Sequence, residues 1–149
     1  MPDLSSSSRF PRPNWRIGTR ALRLLLDTQA WLWWLAGDPS LSRVGRAAIS
    51  DEANEIFVSA ASAWEIATKH RLGKLPGVAG IIDDLDAAIA DQGFHPLPIE
   101  IRHGHAAGVL PGPHRDPFDR MLIAQALLDS LVLISNEQTF DAYGVARRW

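Results

Sequence analysis

The sequence contains no cysteine, which excludes disulfide cross-links, thiolate metal sites and cysteine nucleophiles together. Any metal chemistry must therefore use oxygen ligands or the five histidines. No apolar run approaches the ~18–20 residues that a membrane-spanning helix needs. The first stretch, MPDLSSSSRFPRPNWRIGTR, also has no apolar core of the kind a signal peptide carries. A cytoplasmic protein with no membrane attachment is expected. An excess of positive charge is missing as well: the formal net charge is −2, so any grip on nucleic acid has to be local or supplied by a metal ion. There is no P-loop, no G-x-G-x-x-G and no nucleophile-elbow serine, which removes support for an ATPase, a dinucleotide-binding dehydrogenase and a typical serine hydrolase.

What is present fits one domain, since 149 residues leave no room for a second sizeable core. Residues 1–20 are rich in Ser, Pro and Arg and have no hydrophobic period, so a disordered arm is expected there. Arg9, Arg12, Arg16 and Arg20 face the single acid Asp3, giving the arm a basic character. Such an arm either touches RNA or a partner, or is a solvated tail.

From Ala21 to Trp149 strand-like and helix-like segments alternate. Ala21–Leu26 reads as a buried strand ending at Asp27-Thr28, followed by a helix over Gln29–Leu35 that Gly37-Asp38-Pro39 stops. Ser42 caps a helix through Ile49, Glu55–Ser59 forms the next strand, and Ser62–Leu72 the next helix. A single helix is expected over Val78–Asp91. Pro96 and Pro98 make Phe94–Ile99 a weak strand or merely an extended connection. Helices over Glu100–Leu110 and Phe118–Leu128, a buried strand over Leu131–Ser135, a short helix near Gln138–Tyr143 and a closing strand near Ala146–Trp149 complete the pattern. Strands separated by helices require crossovers, which predicts an α/β fold with a mostly parallel central sheet flanked by helices on both faces.

In such sheets functional groups collect just beyond the carboxyl ends of the strands. Asp27 follows LRLLL directly, Glu65 is expected in the first turn of the helix after EIFVS, and Glu137 lies two residues beyond LVLIS. Asp116 and Asp119 begin the helix that leads into that last strand. Five carboxylates then meet at one edge, an arrangement that is unfavourable unless a cation neutralises them. Hard oxygen ligands select Mg²⁺, with Mn²⁺ as the substitute. Phosphodiester hydrolysis is the chemistry such a constellation suits.

Each acid also has a plainer reading. Asp27 suits a helix N-cap, and Ser62-Ala-Trp-Glu65 matches a capping box. Asp116-Pro-Phe-Asp119 matches a helix start with proline at its first position, and Glu137 suits a solvated turn. Joint occurrence after successive strands is what favours a site. Lys69, Arg115 and Arg120 adjoin the acids and are candidate RNA contacts, with a solvated helix face as the default for Lys69. His103 and His105, two residues apart, point to different faces of a helix and do not make a zinc pair. Trp31, Trp33 and Trp34 cannot all share one helix face, so at least one should meet another element or a partner-filled groove.

The blocks LLLDTQAWLWWLAGD, VSAASAWEIATKHRLGKL, HRDPFDRMLIAQA and LVLISNEQTFDAYGV, in this order, resemble the PIN-domain ribonucleases and, within them, VapC-type toxins. The resemblance covers roughly residues 24–149. It implies a Mg²⁺-dependent endoribonuclease, the toxin of a type II toxin–antitoxin pair, with a cognate antitoxin that blocks the site and frequent homodimerisation. It further implies that Asp27, Glu65, Asp116 and Asp119 are metal ligands, and it places Glu137 where many relatives carry Asp, with Ser135 at a Thr-like position. The longer Glu137 side chain favours a water-mediated contact over direct ligation. The arm before Ala21 falls outside the resemblance. Two rival readings remain open: a PIN fold used only for binding, and a metal-dependent phosphatase of small esters. The latter typically carries D-x-D after the first strand, whereas this chain reads Asp27-Thr28-Gln29.

Overall fold

Leu24, Leu25 and Leu26 are fully buried at the centre of a parallel sheet in the computed structural model, which describes residues 21–149. The arm expected over residues 1–20 lies outside the described residues. The leucines belong to β1 (Arg23–Leu26), which leads into α1 (Thr28–Ala36) and α2 (Arg43–Ser50). Then come β2 (Glu55–Ser59), α3 (Ala60–Arg71), α4 (Ala79–Ile82), α5 (Leu85–Asp91) and β3 (His95–Leu97). The chain continues through α6 (Ile101–Val109), α7 (Pro117–Asp129), β4 (Val132–Ile134), a 3-10 helix (Gln138–Tyr143) and β5 (Arg147–Arg148).

The sheet order is β3-β2-β1-β4-β5, and every adjacent pair is parallel. Successive side chains of a strand point to opposite faces, so Leu24 and Leu26 join Trp31, Ile66 and Ile134 in one core while Leu25 joins Leu122, Ile123, Leu133 and Phe140 in the other. Helices thus cover both faces. The chain winds outward from β1 through β2 to β3, then crosses back to place β4 on the other side of β1. This reversal opens a crevice beyond the carboxyl ends of β1 and β4.

Two local expectations change and two open readings are resolved. Helix α3 begins at Ala60, where β2 runs straight into it; Ser59 is the N-cap and its Oγ accepts the Ala61 N–H at 2.9 Å. Ser62 and Glu65 therefore lie inside the helix, Glu65 beyond its first turn, and they form no capping box. The helix expected over Val78–Asp91 is two pieces, because Asp84 caps α5 by accepting the Ala87 N–H at 2.9 Å. His95–Leu97 does form a strand, at the sheet edge where Pro96 is tolerated. Trp31 is fully buried, Trp33 packs on Trp149 at 5.9 Å between ring centroids, and Trp34 packs on Phe94 at 6.2 Å. Other elements of the same chain thus pack on the α1 tryptophans, and among the described residues the exposed tryptophan is Trp64, at 60%. Among the described residues no helix is long and apolar enough to cross a membrane.

Candidate active site

Asp27 follows β1 immediately and caps α1, its Oδ1 accepting the Ala30 N–H at 2.7 Å. The cap does not exclude a second role, because the other carboxylate oxygen is left over. Asp27 is buried, and the side chain of Ser135, just beyond β4, lowers the pKa of its carboxyl. Ser135 Oγ also accepts the Glu137 N–H at 3.0 Å, which shapes the turn that carries Glu137 to the mouth.

From β2 the path runs through α3. Glu65, almost fully buried, accepts from the Thr28 hydroxyl at 2.6 Å through Oε1 and from Lys69 at 2.5 Å through Oε2. Thr28 Oγ1 also lies 2.9 Å from Ser62 Oγ. Since Thr28 has one proton and gives it to the carboxylate, Ser62 donates to Thr28. A chain of hydroxyls thus fixes Glu65 against the first turn of α1. From the α7 side, Asp116 is the N-cap, its Oδ1 accepting from the Phe118 N–H at 2.9 Å and the Asp119 N–H at 3.3 Å. Asp119 meets His114 Nε2 through Oδ2 at 2.9 Å. An ionised carboxylate only accepts, so Nε2 carries the proton.

Asp27, Glu65, Asp116, Asp119 and Glu137 all line one cleft of about 250 Å³, together with Lys69. The structure therefore brings every acid singled out from the sequence to one place. The electrostatics follow from this crowding. Burial pushes the Asp27 carboxyl up from 3.8 to about 6, with the charges of Asp119 and Glu65 adding to the rise against the Ser135 and Ala30 hydrogen bonds. Asp119 is raised too, by burial first and then by Asp116 and Glu65, with the His114 hydrogen bond opposing. Lys69 is raised chiefly by its hydrogen bond to Glu65. Five carboxylates facing one ammonium is an uncompensated negative site.

Among the described residues no three Asp, Glu or His side chains converge closely enough to hold one ion between them as they stand. That does not oppose Mg²⁺, which keeps several waters and needs only one or two carboxylates beside a substrate phosphate. An all-oxygen donor set, excess negative charge and a carboxyl raised toward neutrality together fit a hard divalent cation.

Two candidate contacts fare differently. Arg115 is exposed between His114 and Asp116. Arg120 is committed elsewhere: its guanidinium donates to the Ala107 carbonyl at 3.0 Å, the His114 carbonyl at 2.9 Å and the Leu110 carbonyl. It ties the α6–α7 loop together, a structural task set beside its reading as an RNA contact. Sequence reasoning gave Thr28 and Ser62 no part in holding Glu65, because a hydroxyl next to an acid carries no such signal until the helices are docked. His103, by contrast, is a buried core histidine that accepts the Glu100 N–H at Nδ1 and donates to Asp129 through Nε2.

A family model described as PIN domain matches residues 24–146. Ribonuclease VapC16 of Mycobacterium tuberculosis (strain ATCC 25618 / H37Rv) is 42% identical over 62 residues, which are 42% of this chain and 43% of that protein. The match thus spans less than half of that relative. VapBC2 from Rickettsia felis, solved with a DNA fragment from their promoter, is similar with a TM-score of 0.63 and 13% identity, over 85% of this chain and 98% of that one. FitAcB from Neisseria gonorrhoeae follows with a TM-score of 0.56 and 20% identity, over 83% and 95% of the two chains. At these identities the two structures speak for the fold alone.

Proposed function

Because the chain belongs to the PIN-domain family, we propose that it is a Mg²⁺-dependent endoribonuclease, the toxin of a type II toxin–antitoxin pair. The observation that carries this reading is the meeting of five carboxylates in one cleft at the switch point of a parallel sheet. The relative named as a ribonuclease and the VapBC2 and FitAcB structures among the neighbours support it.

Asp27 and Asp119 hold the ion, and Glu65 and Asp116 ligate it directly or through water. Mn²⁺ serves as the substitute. When bound, the cation supplies Lewis acidity and charge neutralisation at the scissile phosphodiester. The chain's own residues do the rest. Thr28 and Lys69 hold Glu65 in place, Asp116 fixes the first turn of α7 and so the position of Asp119, and Glu137 orients a water at the mouth. Lys69 and the exposed Arg115 offer positive charge to the RNA backbone.

A cognate antitoxin and a second copy of the chain belong to the same proposal. An apolar groove of about 220 Å³ runs along Trp64, Ile99 and Phe118, and Ile101 and Val109 on the adjoining α6 are 90% and 65% exposed. Apolar surface of this kind on a small domain supports a protein interface.

The test is cleavage of structured and unstructured RNAs by the purified chain with Mg²⁺ or EDTA, beside Asp27→Asn. Metal-dependent cleavage that the variant loses is expected. Intact RNA with a folded, antitoxin-free chain would leave the PIN fold as a binding module. Phosphate release from a small ester, without RNA cleavage, would favour the phosphatase.

A further inference from the structure

We propose that His114 is the positioning residue for Asp119, orienting its carboxylate for the cation, and that Tyr143 and Arg120 are built to hold His114 there. The inference rests on the metal site proposed above.

His114 is held at every polar atom of its backbone and at its ring. Its N–H donates to the Tyr143 hydroxyl at 2.9 Å, and its carbonyl accepts from Arg120 Nη1 at 2.9 Å. Its ring stands edge-on to Phe140 at 5.7 Å and to Tyr143 at 6.2 Å between centroids. Nε2 then reaches Asp119 Oδ2 at 2.9 Å. An exposed loop residue serving only as a helix cap needs none of these restraints.

The loop has adapted to Tyr143 as well. Gly112 has a φ of +105°, and a Cβ there would lie 2.7 Å from the Tyr143 hydroxyl oxygen. Only glycine permits both that backbone conformation and that approach. Pro111 and Pro113 stiffen the segment on either side. Arg120 joins the same loop from α7 by its bonds to the Leu110 and Ala107 carbonyls. The 3-10 helix, the α6–α7 loop and α7 thus converge on one imidazole, which in turn meets one carboxylate of the cleft.

The chemistry of that contact is specific. By occupying Oδ2, the Nε2–H fixes the rotation of the Asp119 carboxylate and leaves Oδ1 for a cation. Hydrogen bonds from behind a ligating group commonly govern metal affinity by about 10–100-fold.

The experiment is a calorimetric titration of the full chain with Mn²⁺ alone, without RNA, beside thermal unfolding. His114→Ala is expected to weaken Mn²⁺ binding about tenfold. His114→Gln, whose amide nitrogen reaches the place of Nε2, restores affinity to within about threefold, because the donor is what acts on Asp119. Tyr143→Phe keeps the ring and removes only the hydroxyl acceptor, so a smaller weakening of about threefold is expected. Should His114→Ala not fold, the Gln and Tyr143→Phe variants decide. Parental affinity in His114→Ala, with binding lost in Asp119→Asn, overturns the positioning role and leaves the metal reading standing. Equal weakening by Ala and Gln overturns it too. Parental affinity in Asp119→Asn, or no Mn²⁺ uptake by the parent, overturns this inference together with the metal site.

Discussion

Lys69 closes onto Glu65 across one turn of α3, with Nζ 2.5 Å from Oε2. The ammonium therefore occupies the side of the cleft where positive charge is most needed, and it competes with any divalent ion for that field. Bringing a divalent cation within about 8 Å of an ammonium costs about 1 kcal/mol under water-like screening, or about fivefold in affinity. Lys69→Met is expected to tighten Mn²⁺ binding by about that factor while weakening RNA binding. Calorimetry with the metal and filter binding with RNA check the two halves separately; weaker metal binding would show that Lys69 is required to hold Glu65.

Asp27→Asn is expected to stabilise the metal-free protein while abolishing metal-dependent cleavage. The folded-state pKa of Asp27 is raised to about 6 from 3.8, so the native state binds a proton more tightly than the unfolded chain. Stability is lost as pH rises from about 4 through 6, because the buried carboxyl must ionise. A shift of about two units corresponds to up to about 3 kcal/mol. Asparagine keeps the N-cap and removes the ionisation. The difference in melting temperature between variant and parent should be near zero at pH 4, full above pH 6, and reduced when Mg²⁺ is added.

Thr28→Val preserves the branched shape at the start of α1 and removes the hydroxyl that donates to Glu65 Oε1 at 2.6 Å. The buried carboxylate oxygen then lacks a donor. A stability loss of about 1–2 kcal/mol is expected, visible as a lower urea midpoint at unchanged slope. RNA cleavage falls with it, since Glu65 is held by Lys69 alone.

Arg120→Met separates a loop tie from a phosphate contact. With three carbonyls left unpaired, stability should fall by about 2–4 kcal/mol. A lost phosphate contact would instead reduce the salt dependence of RNA binding, with the log–log slope smaller by about 0.7–1. An unchanged slope in a folded variant at low temperature is the expected result.

The acids were legible because their positions relative to strand ends are a local property. Asp27 directly follows β1 and Glu137 lies shortly beyond β4, so parallel winding alone delivers both to one edge. Glu65 was expected in the first turn of its helix, with a Ser62 capping box as the plainer reading, and both placed it wrongly. The capping-box pattern at Ser62 is real in sequence, yet Ser59 caps the helix and turns Glu65 inward toward Thr28. Phe94–Ile99 was ambiguous because proline forbids a central strand but not an edge one, and edge position is a property of the whole sheet.

The sequence by itself determined the layered α/β class, the order of strands and helices, and the acidic character of the candidate cleft. Those follow from apolar runs such as Leu24–Leu26 and from acids placed shortly beyond strands or near helix starts, which are short-range patterns. Only the tertiary structure decided that Arg120 donates to carbonyls around the α6–α7 loop, that His114 meets Asp119, and that Trp64 is left exposed while Trp33 and Trp34 pack on other elements. Each of these depends on where a flexible side chain ends once distant segments pack together. A guanidinium or imidazole can satisfy many partners equally well, and the docking of α6, α7 and the 3-10 helix selects among them.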